Sequence, residues 1–217
     1  MGYRQYKLLP VAHFFMSKEF RMNLMPFDEL NTFNEMVRRY KTEPMALSDK
    51  EKLRDDIEEY IEFLLIEAYT YGNVQAMQDL GLLDKDPADV INPDLMMEVI
   101  NKPIADKTYK DRIREYLDDD TSTAEDFQRV AETDATRVYN AGVEAGGRSS
   151  GVRGVRKQWV TMGDDKVRDT HDYLEGVSVE IDKDFYTFDN DHARAPGLFS
   201  DPSNNCNCRC TLRLIRE

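Results

Sequence analysis

Between Leu53 and Tyr71 the apolar residues Leu53, Ile57, Tyr60, Ile61, Leu64, Leu65, Ala68 and Tyr71 recur at three- and four-residue intervals. That spacing gathers side chains on one face of an α-helix, here of about six turns. Ser48-Asp49-Lys50-Glu51 ahead of it has the form of a capping box, and Gly72 is the expected stop. So broad an apolar stripe must be covered by other apolar faces. Leu30, Phe33, Met36, Val37 and Tyr40 supply one, on a helix that opens at Pro26 and that Pro44 forbids from continuing. Two antiparallel helices joined by residues 41–48 are therefore expected, with Met22, Met25, Met36 and Met45 as adaptable core filler.

Further along, Asn73–Leu80 reads as a short helix stopped by Gly81, followed by helices over Pro93–Asn101 and Tyr109–Leu117. Asp118-Asp119-Asp120-Thr121-Ser122-Thr123 reads as a solvated turn, whose three adjacent carboxylates lack the alternating ligands of a calcium loop. Ser122 or Thr123 then caps a helix over Ala124–Ala145, with Phe127, Val130, Ala131, Val138 and Ala141 inward. Gly142, Gly146, Gly147, Gly151 and Gly154, with Ser149 and Ser150, read as the end of that helix and a flexible joint. Beyond it the period changes: strands over Gln158–Met162, Val177–Ile181 and Cys206–Ile215, and a helix over Asp164–Leu174. The expected fold is α+β, with a mostly helical body over residues 1–147 and a small α+β domain over 148–217.

Charge narrows the partners. The net charge of −13 sits almost wholly in Met1–Glu144, which holds 18 basic and 30 acidic residues, against 11 and 12 in Ala145–Glu217. Such a body repels nucleic acid at long range, so any DNA contact falls to a local basic patch. Arg148, Arg153, Arg156, Lys157, Lys166 and Arg168 form the one candidate, with Arg153, Arg156 and Lys157 as the candidate contacts. No aromatic residues interleave with these charges as a stacking surface requires, so a solvated loop and strand edge is the competing reading. No segment approaches the ~20 apolar residues of a membrane span. The opening MGYRQYKLLPVAHFFM carries Pro10 and His13 within its apolar stretch and lacks a small-residue cleavage site, so no signal peptide is expected. Tyr6 stands where a myristoylation signal has Ser or Thr. A cytosolic chain with reduced thiols is the expectation.

All three cysteines, Cys206, Cys208 and Cys210, alternate within NCNCRC. On a strand they share one face with Leu212 and Leu214. On the preceding helix Val167, His171 and Leu174 also share a face, which turns the imidazole toward the same interior. Three readings follow. The thiols are small hydrophobes beside a hydrogen-bonded histidine; or His171 with two or three of Cys206, Cys208 and Cys210 binds zinc; or a cysteine and His171 form the nucleophile pair of a hydrolase, which requires an exposed, electropositive thiol. A zinc-stabilised nucleic-acid module is a variant of the second.

The order and spacing of several elements resemble a known family. These are Glu132-Thr-Asp-Ala-Thr-Arg-Val-Tyr-Asn-Ala-Gly142, Lys157-Gln-Trp-Val-Thr-Met-Gly-Asp-Asp-Lys-Val-Arg-Asp-Thr-His171, Leu174-Glu-Gly176, Val179, Asp182 to Phe185, Pro202 and Asn207-Cys-Arg-Cys210. Together they look like the phage minor head proteins, the Mu F-like head morphogenesis family, over about residues 100–212. The resemblance implies a component of the tailed-phage procapsid, in few copies, bound to the portal or major capsid protein and in some relatives to phage DNA. It implies a virion location after assembly in the host cytoplasm, and no membrane or small-molecule substrate. It also implies that Trp159, Asp165, Arg168, His171, Gly176, Cys208 and Cys210 hold the small domain together without turnover. Some relatives lead toxins with appended ADP-ribosyltransferase domains. The chain ends at Glu217, soon after the last motif element, so no such domain is expected, and Thr121-Ser122-Thr123 is read as a turn.

Overall fold

The computed structural model describes residues 27–82, 84, 86 and 89–216. Tyr6, Pro10, His13, Met22, Met25 and Pro26 lie outside the described residues. Helices α1 (Phe27–Thr42), α2 (Leu47–Asp79), α3 (Pro93–Asn101), α4 (Tyr109–Asp118) and α5 (Ala124–Ser149) precede a region of short elements. These are β1 (Val155–Val160), α6 (Asp169–Asp172), β2 (Ser178–Glu180), β3 (Phe185–Tyr186), β4 (His192–Ala193), α7 (Pro202–Asn205) and β5 (Thr211–Arg216). The architecture is α+β, helical first and strand-containing last.

The apolar stripe of the sequence is the buried face of α2, through Leu53, Ile57, Ile61, Leu64, Leu65 and Ala68. Gly72 does not end the helix, which runs unbroken for 33 residues. A Cβ on Gly72 would lie 2.1 Å from the Tyr139 carbonyl oxygen, and one on Gly142 would lie 2.3 Å from that of Tyr69. The two glycines are the point where α2 and α5 touch backbone to backbone. A mid-helix glycine costs about 0.5–1 kcal/mol in chain entropy, which here is offset by packing that a side chain would prevent. Gly142, Gly146 and Gly147 likewise lie inside α5, so of the expected joint only Gly151 and Gly154, at φ 73° and 71°, lie beyond the helix, and the division drawn at residue 148 falls within its last turn. Ser48 does not cap: the N-cap of α2 is Ala46, without a side-chain bond. The capping boxes are Thr108 with Asp111 on α4 and Thr123 with Asp126 on α5.

Around the α2–α5 pair, Phe33 and Val37 of α1, Ile100 of α3, and Ile113 and Leu117 of α4 join one buried cluster. The same cluster continues through Trp159, Leu212 and Leu214 into the carboxy-terminal part. Two buried carboxylates tie the small helices down. Glu58 takes both ends of the Arg114 guanidinium, at 2.6 and 2.9 Å. Asp134 takes Arg112 at 2.7 and 2.6 Å and also pairs with buried Arg137.

The three-stranded sheet has the order β2-β1-β5 and is antiparallel throughout, with Trp159 opposite Leu212 and Lys157 opposite Leu214. Its inner face packs on α5, where Leu214 lies over Gly147, and the Leu214 amide donates to Asp79 at the end of α2. Two expected elements contract. The helix over Asp164–Leu174 survives only as the single turn α6, because Asp164 accepts from the Lys166 amide and from Arg209 in a turn of its own. The strand over Cys206–Ile215 begins only at Thr211, because α7 precedes it and Asn207 takes a left-handed backbone angle of φ 56°.

Candidate metal centre

Three irregular segments meet above the end of β1. The α6 turn presents His171 inward; the link between α7 and β5 carries Cys208 and Cys210; and the stretch before α7 carries Phe199. All four residues are buried. The Nδ1 of His171 is 3.6 Å from the Cys208 sulfur and 3.5 Å from that of Cys210. Within the described residues, these ligand atoms are the group of three whose members all lie within 4.8 Å of one another. Nε2 of His171 is buried without a hydrogen-bond partner. The ring is therefore oriented by aromatic packing: Phe199 stacks on it at 5.4 Å, and Trp159 meets it edge-on at 5.3 Å.

Asn140, on α5, holds the cysteine link in place. Its Nδ2 donates to the Cys210 carbonyl at 3.0 Å and its Oδ1 accepts from the Leu212 amide at 2.8 Å, so a side chain substitutes for a neighbouring strand where β5 begins. Asn205 does the same for Phe199, donating to its carbonyl at 2.7 Å and accepting from its amide at 2.9 Å. Asp191 gathers Ser200, Asn204 and the His192 amide. No role for these residues was read from the sequence. The available signal was an asparagine on the inward face of α5, which demands a partner because a buried amide must be satisfied.

Cys208 is held well below the ordinary cysteine range by the Cys210 S–H bonded to it and by His171. Cys210, which gives that bond, is pushed up by Cys208 and by burial, while Trp159 and Arg168 favour its charged form. Two sulfurs thus stand together beside an imidazole, and a soft cation would take both as thiolates. Nitrogen and thiolate donors of this kind suit zinc. Beside the centre lies a pocket of about 10 Å³, lined by Met162, Lys166, Arg168, Asn207, Arg209 and the three ligand residues. One water occupies roughly that much space.

The other residues singled out in the sequence fall as follows. Cys206 is exposed and lies outside the group of three, because the left-handed turn at Asn207 breaks the alternation that would have aligned it. Trp159 is completely buried at the base of the centre. Arg168 donates to the Cys206 carbonyl at 2.6 Å. Gly176 adopts φ 74° in the turn that returns the chain to β1, where its amide donates to the Trp159 carbonyl. Asp165 is exposed, and its neighbour Asp164 makes the paired contact to Arg209, at 2.7 and 2.8 Å. Arg153 is exposed and Arg156 is half-buried, donating to the Ser178 carbonyl. Lys157 is no DNA contact: it is fully buried, with its ammonium on Glu144, so phosphate cannot reach it.

Comparison with known proteins places this geometry. Residues 95–213 match the family described as Phage Mu protein F like protein. Over 84 residues the chain is 30% identical to minor head protein GP7 of Bacillus phage SPP1, covering 38% of this chain and 27% of that protein. Over 153 residues it is 26% identical to NAD(+)–arginine ADP-ribosyltransferase EFV of Enterococcus faecalis, covering 56% of this chain and 31% of that protein. The chain thus spans less than a third of the length of either relative. No solved structure matches it. Since the match takes in more than half of the chain, including α4, α5, β1, β2, the start of β5 and every residue of the histidine–cysteine centre, the chain belongs to the Mu F-like family of phage head proteins.

Proposed function

We propose that this protein is a minor capsid component in head morphogenesis of a tailed phage or prophage, bound to the portal or the inner capsid face while the procapsid forms. The observation that carries this reading is the family match over 95–213, joined by a stretch in common with a minor head protein. The chemistry of the centre agrees with a structural role. Its sulfurs are buried, and the adjoining pocket of about 10 Å³ has room for about one water, whereas a cysteine nucleophile needs access. ADP-ribosyl transfer is named for the Enterococcus relative as a whole, of which the chain spans 31%. Thr121 and Ser122 lie in a turn and Thr123 caps α5, which supports a structural use of that run. Of the three candidate contacts, Arg153 and Arg156 remain open to packaged DNA. Among the described residues, no helix is long and apolar enough to cross a membrane.

Co-expression with the portal protein of the same phage tests the proposal. The chain is expected to elute with the portal ring in size-exclusion chromatography at physiological salt. Elution of the chain alone, with both the portal and the major capsid protein failing to retain it, would overturn the assignment.

A further inference from the structure

The segment between β1 and β5 has little regular structure to hold it. Over residues 161–210 the regular pieces are α6 and α7 of four residues each, β2 of three, and β3 and β4 of two each. Elements that short bury too little to fix their own positions, and proteins with such regions use staples. The three cysteines are free thiols, so no disulfide does this work. His171, Cys208 and Cys210 lie where the two ends of the segment meet.

We propose that His171 Nδ1, Cys208 Sγ and Cys210 Sγ bind one zinc ion, with a solvent molecule as fourth ligand, and that this ion clamps the α6 turn to the link before β5. With Zn–S near 2.3 Å and Zn–N near 2.0–2.1 Å, a tetrahedral ion sets each nitrogen–sulfur edge at about 3.6 Å. The observed edges are 3.6 and 3.5 Å, so both nitrogen–sulfur edges already stand at the separation the ion requires, and all three ligand atoms lie within 4.8 Å of one another. Binding consumes one Zn²⁺ and releases the protons of both thiols, while the imidazole stays neutral with its proton on Nε2. The resulting centre carries no net charge, as its buried surroundings demand. Phe199 and Trp159 fix the ring plane, the task an outer hydrogen bond performs in other zinc sites. The fourth position faces the water-sized pocket. Arg168 lines it with a buried Nη1 that lacks a hydrogen-bond partner, which favours an electron-rich oxygen there. The inference stands independently of the head-assembly reading.

The test uses the full chain, grown with zinc and desalted. Elemental analysis is expected to find one zinc per chain, retained in Cys206→Ser and lost in Cys208→Ser and in Cys210→Ser. A serine at either buried position can also cost folding, so cobalt substitution of the unmodified chain gives an independent reading: thiolate-to-cobalt charge-transfer absorption with the intensity of two sulfurs. Folded wild-type protein that carries no stoichiometric zinc and gives no thiolate–cobalt band would overturn the proposal. Loss of the metal in Cys206→Ser, with the fold intact, would overturn the assignment of solvent to the fourth position.

Discussion

Asn140 shows how one side chain governs the site from a distance. It satisfies the Cys210 carbonyl and the Leu212 amide, both buried behind α5. Leaving a buried polar group without a partner costs about 1–3 kcal/mol. Asn140→Ala, which strands two, should therefore lower stability by about 2–4 kcal/mol in urea titration. A loss below about 0.5 kcal/mol, the scale of an ordinary surface change, would mean that the amide does not anchor the link. The importance of Asn140 was only half legible in the sequence, where it stands within a family-like segment but its partners are 70 and 72 residues away. The nearness of His171 to Cys208 and Cys210 was anticipated through elements that form only in part. An extended backbone alternates its side chains whether or not a neighbour pairs with it. Cys208, Cys210, Leu212 and Leu214 therefore remain on one buried side, although only the last two belong to β5. The left-handed residue Asn207 interrupts that alternation and leaves Cys206 in solvent.

Among the elements, α2 and α5 decide the architecture, and glycine decides how closely they approach. Gly142→Ala would place a methyl group 2.3 Å from the Tyr69 carbonyl oxygen, and because backbone cannot step aside cheaply, the helices must separate. The expected cost is about 3 kcal/mol, at the upper end of overpacking effects, or a fall in Tm of about 6–12 °C for a chain of this size. Gly81→Ala is the control: the glycine has φ 72° but open space around it, so it should cost about 1–2 kcal/mol from backbone conformation alone. Equal effects of the two changes, read by thermal unfolding, would contradict the close crossing. In sequence a glycine that stops a helix and one that admits a neighbour look alike. The period of α2 continues through Val74 and Met77 beyond Gly72, and that continuation was the better signal. α3 and α4 were legible almost to the residue, because Pro93 and Thr108 mark their starts with local chemistry. The strand expected over Val177–Ile181 forms as β2, whereas β3 and β4 were not legible, since pieces of two residues carry no period.

At the scale of the whole molecule, the division into a helical body and a strand-containing end was visible in the change of period after α5. Its mechanical character was not, because Gly142, Gly146 and Gly147 lie inside a helix and one buried cluster spans both parts. Glu144 illustrates how the two parts are bound together: it accepts from Arg148 on its own helix and from Arg194 beyond the sheet, and it neutralises Lys157 of β1. The central claim is that this assembly is built into a phage head. Its most direct test is quantitative mass spectrometry of purified procapsids from cells carrying the phage genes. The account predicts a fixed, small number of copies per particle that stays with the particle through a gradient. Procapsids of normal composition that lack the chain, with all of it left in the soluble fraction, would contradict it.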